Sequence, residues 1–273
     1  MKTVAVIGLG YFSQFHLNAW VKNPDVDLIA VADTNAGLLA KVSTTLNVEG
    51  YGELDTVLGH HSPDIVDLIV PPSCHAQLIR KLLKPGQVII CQKPFCTSLA
   101  EAEQITSEAG TAGATLIIHE NFRFQPWYRE IQTFLSSGRM GQIYSAQFNL
   151  RPGDGRGAEA YLARQPSFQT MPRFLVQETA VHLIDVFHWL FGPVSSIYAD
   201  LRQLNPVIAG EDAGTLILTH KSGAHSLIDG NRLSDHKAKN TRHTMGEMVI
   251  EGEGGTLNLD GDGILSFRPF GSQ

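Results

Sequence analysis

Two groups of residues in this chain have the chemistry to move a proton or steady a developing charge. The first is Lys93, in Cys91-Gln92-Lys93-Pro94, directly after the apolar run Val88-Ile89-Ile90. If that run is a strand of a parallel sheet, its C-terminal end is where open α/β folds bind ligands. Pro94 restricts Lys93 to extended backbone, which presents the amine from a fixed stub. Taken alone, a surface lysine at a strand end is the plainer reading. The second group is Glu178, His182 and Asp185, spaced i, i+4 and i+7 and so on one face of a helix. That helix is predicted over about 178–191, and its other residues are mostly apolar (Val181, Leu183, Ile184, Val186, Phe187, Trp189, Leu190, Phe191). Three ionisable groups on such a helix must find polar partners or line a cavity. An imidazole near its neutral pKa can take a proton from an alcohol, and a carboxylate can orient the ring or hold a substrate hydroxyl. A satisfied structural histidine with two acids at the helix surface is the competing reading. His182 with Glu178 or Asp185 also has metal-ligand spacing, but no partner His/Cys pair accompanies it, so no metal is expected. His119-Glu120 and His188 read as structural.

The elements that would position these groups follow from hydrophobic periodicity. Up to about residue 120, short apolar runs alternate with helix-period segments, the pattern of a parallel sheet covered on both faces. The runs are Val4–Ile7, Leu28–Ala32, Ile65–Val70, Val88–Cys91 and Leu116–Ile118. Leu78, Ile79, Leu82 and Leu83 mark one helix face, and Ser98-Leu99-Ala100-Glu101 has the form of a capping box. Pro24, Pro85-Gly86 and Gly113 punctuate the helix ends. Beyond Asn121 the pattern changes to longer β-type runs around the single helix: 142–150, 195–201, 214–219, 226–229, 247–251 and 256–259. Ser222-Gly223, Gly254-Gly255 and Asp260-Gly261-Asp262-Gly263 supply turns. The expected fold is α/β plus α+β. A doubly wound Rossmann domain over 1–120 precedes a substrate and oligomerisation domain over 121–273 with an open, mostly antiparallel sheet.

Gly8-Leu9-Gly10-Tyr11-Phe12-Ser13 follows the first strand and opens a helix carrying Leu17, Trp20 and Val21. Gly8 allows a tight turn, and Gly10 allows a pyrophosphate to approach the helix N-terminus. Ser13 stands where the dinucleotide fingerprint has its third glycine, but it is still small enough for helix–strand packing. Asp33 ends the second strand, about 20 residues further on, where a carboxylate binds adenosine ribose hydroxyls. Asp33-Thr34-Asn35 has no Arg or Lys to hold a 2′-phosphate, so NAD is favoured over NADP. The alternative role for Asp33 is to begin the next helix cap.

The chain's composition is that of an ordinary globular protein: 273 residues, 43% apolar and 18% charged. A net charge of −6 argues against nucleic acid or an anionic membrane as partner. No apolar run approaches the ~20 residues of a membrane span. The three cysteines (Cys74, Cys91, Cys96) lack metal-ligand spacing and fit a reducing cytoplasm, with Cys91 and Cys96 read as small buried hydrophobes.

Together these residues resemble the Gfo/Idh/MocA family of NAD(P)-dependent sugar and cyclitol oxidoreductases, over essentially the whole chain. The likeness rests on Gly8-Leu9-Gly10 with His16, Pro71-Pro72-Ser73-Cys74-His75, Gln92-Lys93-Pro94, Asn121-Phe122-Arg123-Phe124-Gln125-Pro126, and Glu178 through Asp185. It implies a substrate held between the two domains, a cis bond before Pro94, and homo-oligomerisation through the C-terminal sheet. It makes Lys93 the electrostatic residue beside nicotinamide and substrate, and His182 the acid–base residue. Asp185 matches a substrate-binding position, with Arg123 and Trp127 as cleft-lining residues. It places Pro71, Pro72 and His75 on a loop over the cofactor, with Gln92 and Lys93 adjoining it. Three departures stand out. Gln92 replaces the family's Glu, Glu178 replaces an Asp, and the chain stops at Phe270-Gly271-Ser272-Gln273, where relatives continue; a C-terminal truncation is the expectation. Two other functions use the same parts: an NAD-dependent glycosidase working through transient oxidation, and a non-catalytic dinucleotide-binding sensor.

Overall fold

The computed structural model describes residues 1–272, which divide into two units, 1–120 and the described residues from 121 onward. Unit 1 is built on six parallel strands: β1 (Lys2–Ile7), β2 (Val26–Ala32), β3 (Glu49–Tyr51), β4 (Ile65–Leu68), β5 (Val88–Gln92) and β6 (Thr115–His119). Their spatial order is β3-β2-β1-β4-β5-β6, so the winding reverses between β1 and β4. Burial on both faces explains the unbroken apolar runs of the central strands. Ala5 and Ile7 pack towards α3 (Leu54–His60), α4 (Pro72–Leu82) and α5 (Leu99–Ala112). Val6 and Val31 pack towards α1 (Ser13–Lys22) and α2 (Ala36–Leu46). The expected doubly wound sheet is therefore present. The edge strand β3 was not anticipated from sequence: it has three residues, one of them Gly50, and none is fully buried.

Local chemistry sets the boundaries. Asn35 caps α2 by accepting from the Gly37 and Leu38 amides, which leaves Asp33 outside the cap. Ser98 caps α5 through a 3.2 Å bond from the Glu101 amide. The Glu101 carboxylate reaches back to Thr97, accepting from its backbone N–H at 3.1 Å, so the reciprocal half of the box closes one residue early. Gly113 ends the same helix at φ +69°.

Unit 2 carries a seven-stranded sheet: β7 (Ile143–Leu150), β8 (Val194–Arg202), β9 (Ala213–His220), β10 (His225–Asn231), β11 (Gly246–Gly252), β12 (Gly255–Leu259) and β13 (Leu265–Pro269). The order is β13-β12-β11-β7-β10-β9-β8, antiparallel except where β7 and β10 run parallel. Ala146, Phe148, Leu150, Leu216, Leu218, Ile228, Met248 and Ile250 point to one face. There they meet α6 (Pro126–Ser136) and α7 (Val181–Phe191), whose Tyr128, Ile131, Leu183, Val186 and Phe187 are fully buried. The opposite face presents Tyr198 and Ile217, directly paired across β8 and β9.

The helix expected over 178–191 is only partly α-helical. Leu175–Ala180 forms a π-helical turn that runs into α7. Glu178 therefore lies on the wider turn, out of phase with the α-helical repeat that groups His182 with Asp185. No helix among the described residues is long and apolar enough to cross a membrane.

Candidate functional site

In unit 1 the glycine loop sits where the strand order reverses, the usual ligand position of an open α/β sheet. Gly8 follows β1 at φ +96°, and a Cβ there would lie 2.3 Å from the Ile69 carbonyl oxygen. Only glycine fits. A Cβ on Gly10 would meet nothing within 4 Å, so the backbone beside it is open to approach. Ser13 is buried, and its hydroxyl donates to the Gly10 carbonyl at 2.8 Å, tying the loop to the first turn of α1. Tyr11 is exposed and Phe12 half-buried on the same loop. Asp33 Oδ2 accepts the Leu9 amide at 2.7 Å and Oδ1 the Asn35 amide at 2.6 Å. This locks the carboxylate beside the glycine loop, with a further lone pair on each oxygen. The loop, the helix N-terminus and the carboxylate fit a dinucleotide.

Three unit-1 expectations need correction. Pro72 and His75 lie in the first turns of α4 rather than on a loop, with Pro71 as the N-cap. His75 is fully buried, and its ring nitrogens face the Phe95 carbonyl at 2.8 Å and the Val70 carbonyl at 2.9 Å. With both nitrogens occupied, His75 cannot bind cofactor; it joins the segment before Pro71 to the segment after Pro94. Gln92 is only 7% exposed, and its amide faces inward to His16 and to the Lys93 backbone. Lys93 itself is half-buried just past the end of β5, and the bond to Pro94 is cis. Cys91 is buried, and burial pushes its thiol pKa well above the ordinary range. Cys96 is half-buried, not fully buried as expected, and burial pushes its pKa up to about 11.

In unit 2 His182 is 6% exposed and stacks face to face on Phe122, with ring centroids 4.1 Å apart and planes 6° from parallel. The stack fixes the imidazole plane. One turn on, Asp185 and Arg123 form a two-pronged ion pair, with Arg123 Nε 2.7 Å from Asp185 Oδ2. Trp189 lies 5.8 Å from the same guanidinium. Arg123 thus reaches α7 from the short helical turn Phe122–Phe124, which accounts for the proximity of the Asn121–Pro126 motif to His182. Trp127 is 7% exposed, part of the unit-2 core and packed 4.7 Å from the His243 ring.

Glu178 is in contact with a buried arginine. Its carboxylate lies 3.4 Å from Arg232 Nη1 and accepts the Thr179 hydroxyl at 2.5 Å. Arg232 is 1% exposed and also bonds Asp154 at 3.0 and 3.2 Å. Its guanidinium packs 4.6 Å from the Phe174 ring centre and 5.2 Å from that of Tyr161. Burial alone would lower the Arg232 pKa, but Asp154 and Glu178 outweigh it, so the group stays charged. Nothing in the sequence marks Arg232 as buried. Its isolation among Asn231, Leu233 and Ser234 offered no signal of a buried partner at Asp154, 78 residues away.

Comparison with known proteins decides the family. Residues 2–120 match the "Oxidoreductase family, NAD-binding Rossmann fold" and residues 128–258 the "GFO/IDH/MocA C-terminal domain". The chain is 32% identical over 262 residues to a D-apiose dehydrogenase of Paraburkholderia graminis, a match covering 94% of this chain and 67% of that protein. The chain is a member of the Gfo/Idh/MocA oxidoreductase family. It is also 26% identical to a scyllo-inositol 2-dehydrogenase (NAD(+)) of Bacillus subtilis, over 97% of this chain and 77% of that one. Among solved structures, an oxidoreductase from Agrobacterium radiobacter in complex with NAD+, L-tartaric acid and magnesium superposes with TM-score 0.89 at 26% identity. That match covers 99% of this chain and 78% of the other. The protein is thus an NAD-binding oxidoreductase of this family, with a Rossmann unit followed by a mostly antiparallel sheet.

Proposed function

We propose that this Gfo/Idh/MocA member oxidises a secondary alcohol of a sugar, cyclitol or related polyol, or reduces the matching ketone. The observation that carries this is the pairing of a dinucleotide-shaped glycine loop with an acid–base helix, in a chain whose named relatives are dehydrogenases of D-apiose and inositols. NAD, when bound, accepts the hydride. The glycine loop from Gly8 to Ser13 holds the pyrophosphate at the N-terminus of α1, and Asp33 takes the ribose hydroxyls and repels a 2′-phosphate. Pro71 and Pro72 contribute by shaping the backbone next to the loop.

His182 takes the hydroxyl proton, its ring held in one plane by Phe122. Lys93 stabilises the negative charge that develops on the reacting oxygen. Asp185, already braced by Arg123, offers its remaining lone pairs to substrate hydroxyls, and Arg123 donates alongside it. Glu178, in contact with Arg232 and Thr179, steadies the turn that launches α7. We also propose that the chain forms a homo-oligomer through the open face of the second sheet, where Tyr198 is 63% and Ile217 38% exposed. The three cysteines are free thiols, which supports a cytoplasmic setting.

The test is steady-state reduction of NAD and NADP across pentoses, apiose and inositols. Wild type should turn over at least one of them with NAD preferred. Lys93→Met and His182→Ala should each lose about 100-fold or more in kcat, the scale of one acid–base or electrostatic group, while NAD affinity changes little. Wild-type turnover in either variant would overturn that residue's role.

A further inference from the structure

Beneath Lys93 lies a buried chain of polar groups that the proposed chemistry does not use. The Lys93 backbone N–H lies 2.8 Å from Gln92 Oε1. A backbone N–H can only donate, so this one bond fixes which end of the Gln92 amide is the oxygen. The amide nitrogen therefore faces His16 Nε2 at 3.1 Å and, at the longer distance of 3.5 Å, His119 Nδ1. That nitrogen can only donate too, so both ring atoms must present lone pairs. The proton of His16 must then sit on Nδ1, which lies 2.8 Å from Asp67 Oδ2. The same oxygen accepts from Trp20 Nε1 at 2.7 Å. His16 and Gln92 are each 7% exposed and Asp67 is wholly buried, so water does not offer an alternative set of partners.

We propose that Asp67, His16 and Gln92 are positioning residues. They form a network of a single polarity that holds the Lys93-Pro94 stub by its backbone and keeps His16 as the neutral Nδ1–H tautomer. His119 is neutral with it. Burial lowers the His119 pKa, against opposing pulls from Asp67 and Glu120, and its ring lies 4.2 Å from that of His16. The titratable groups that face this pair are Asp67 from β4 and Glu120 just past β6. The departure from the family's Glu at position 92 acquires a physical meaning here. An amide can donate to two imidazole lone pairs, whereas a carboxylate cannot. A glutamate at 92 would leave His16 between two acids, and the ring would take up a proton. Gln92 keeps the imidazole under the lysine neutral.

The tautomer stands on geometry alone; its bearing on turnover rests on the proposed role of Lys93. Two readouts keep them distinguishable. The first is 15N NMR of the imidazole nitrogens in the whole protein, with the His16 signals identified by their loss in His16→Gln. Wild type should show His16 neutral, with a protonated Nδ1 and an unprotonated Nε2, around neutral pH. Gln92→Glu should convert it to the doubly protonated form. A wild-type imidazolium, an Nε2–H tautomer, or a ring unchanged in Gln92→Glu would each overturn the network. The second readout is kinetic. Gln92→Leu should lower kcat about tenfold or more with NAD affinity held within about twofold. Gln92→Glu should recover part of that loss with an added ionisation in the pH profile. Wild-type kcat and pH profile in both variants would refute the positioning role even if the tautomer is right.

Discussion

Replacing Arg232 by Met tests whether one buried cation organises the start of the acid–base helix. Met keeps much of the aliphatic stem but removes the guanidinium. Lost with it are the bonds to Asp154 at 3.0 and 3.2 Å, the 2.5 Å bond to the Thr179 hydroxyl and the 3.4 Å contact with Glu178. Removing one partner of a buried ion pair costs about 3–5 kcal/mol, because the remaining charge is left in a poorly solvated site. Here the lower end applies. Arg164 and Arg242 lie 3.3 and 3.5 Å from the same Asp154 oxygen and retain part of the compensation. Asp154 is also 16% exposed. We expect a loss of about 3 kcal/mol, which corresponds to roughly 6–12 °C in the melting temperature of a unit this size. Calorimetry or near-UV circular dichroism measures it. Asp154→Asn in the Arg232→Met background should recover part of the loss, since no charge is then stranded. A shift under about 2 °C, or a double variant as unstable as the sum of the singles, would refute the reasoning.

Two further outcomes follow from local geometry and electrostatics. Gly8→Ala forces a side chain onto a residue at φ +96° and drives its Cβ against the Ile69 carbonyl, so the loop must shift. We expect a loss of more than ~2 kcal/mol of stability and at least about tenfold weaker NAD binding by calorimetric titration, whereas Gly10→Ala should leave stability nearly unchanged. The Thr3 amide and hydroxyl, with Lys2, hold Asp64 well below its ordinary value of 3.8, at about 2. A depressed carboxylate stabilises the fold above its unfolded pKa and loses that contribution as pH falls through the folded one. Acid unfolding of wild type between pH 3.8 and about 2 should therefore be steeper than that of Asp64→Asn.

The sequence made legible what depends on local pattern. The run to Gly8, the loop to Ser13 and the carboxylate at Asp33 announced the nucleotide loop, because backbone freedom and strand periodicity act within a few residues. Lys93-Pro94 and the α7 histidine were visible for the same reason. Features that depend on distant partners were not. The π-helical turn displaces Glu178 towards Arg232, and no periodicity count at α-helical spacing reveals it. His75 was placed over the cofactor by the family resemblance, yet its ring spans two backbone carbonyls from separate segments. Trp127 was placed in a cleft by the same resemblance, while Pro126 at a helix N1 position, followed by Trp127, Tyr128 and Ile131, carries the mark of a core-facing helix. α2 escaped notice because it buries no residue fully and so has a weak apolar stripe.

The central claim is that this chain removes a hydride from a secondary carbinol carbon and delivers it to NAD. The most direct measurement uses the best polyol from the substrate panel, deuterated at the carbon to be oxidised. Mass spectrometry then follows the label in the nicotinamide product and the ketone. The account predicts one deuterium in NADH for each ketone formed, and loss of both signals together in His182→Ala. Product formed without label in NADH, or no NADH from any member of the panel despite bound NAD, would contradict it.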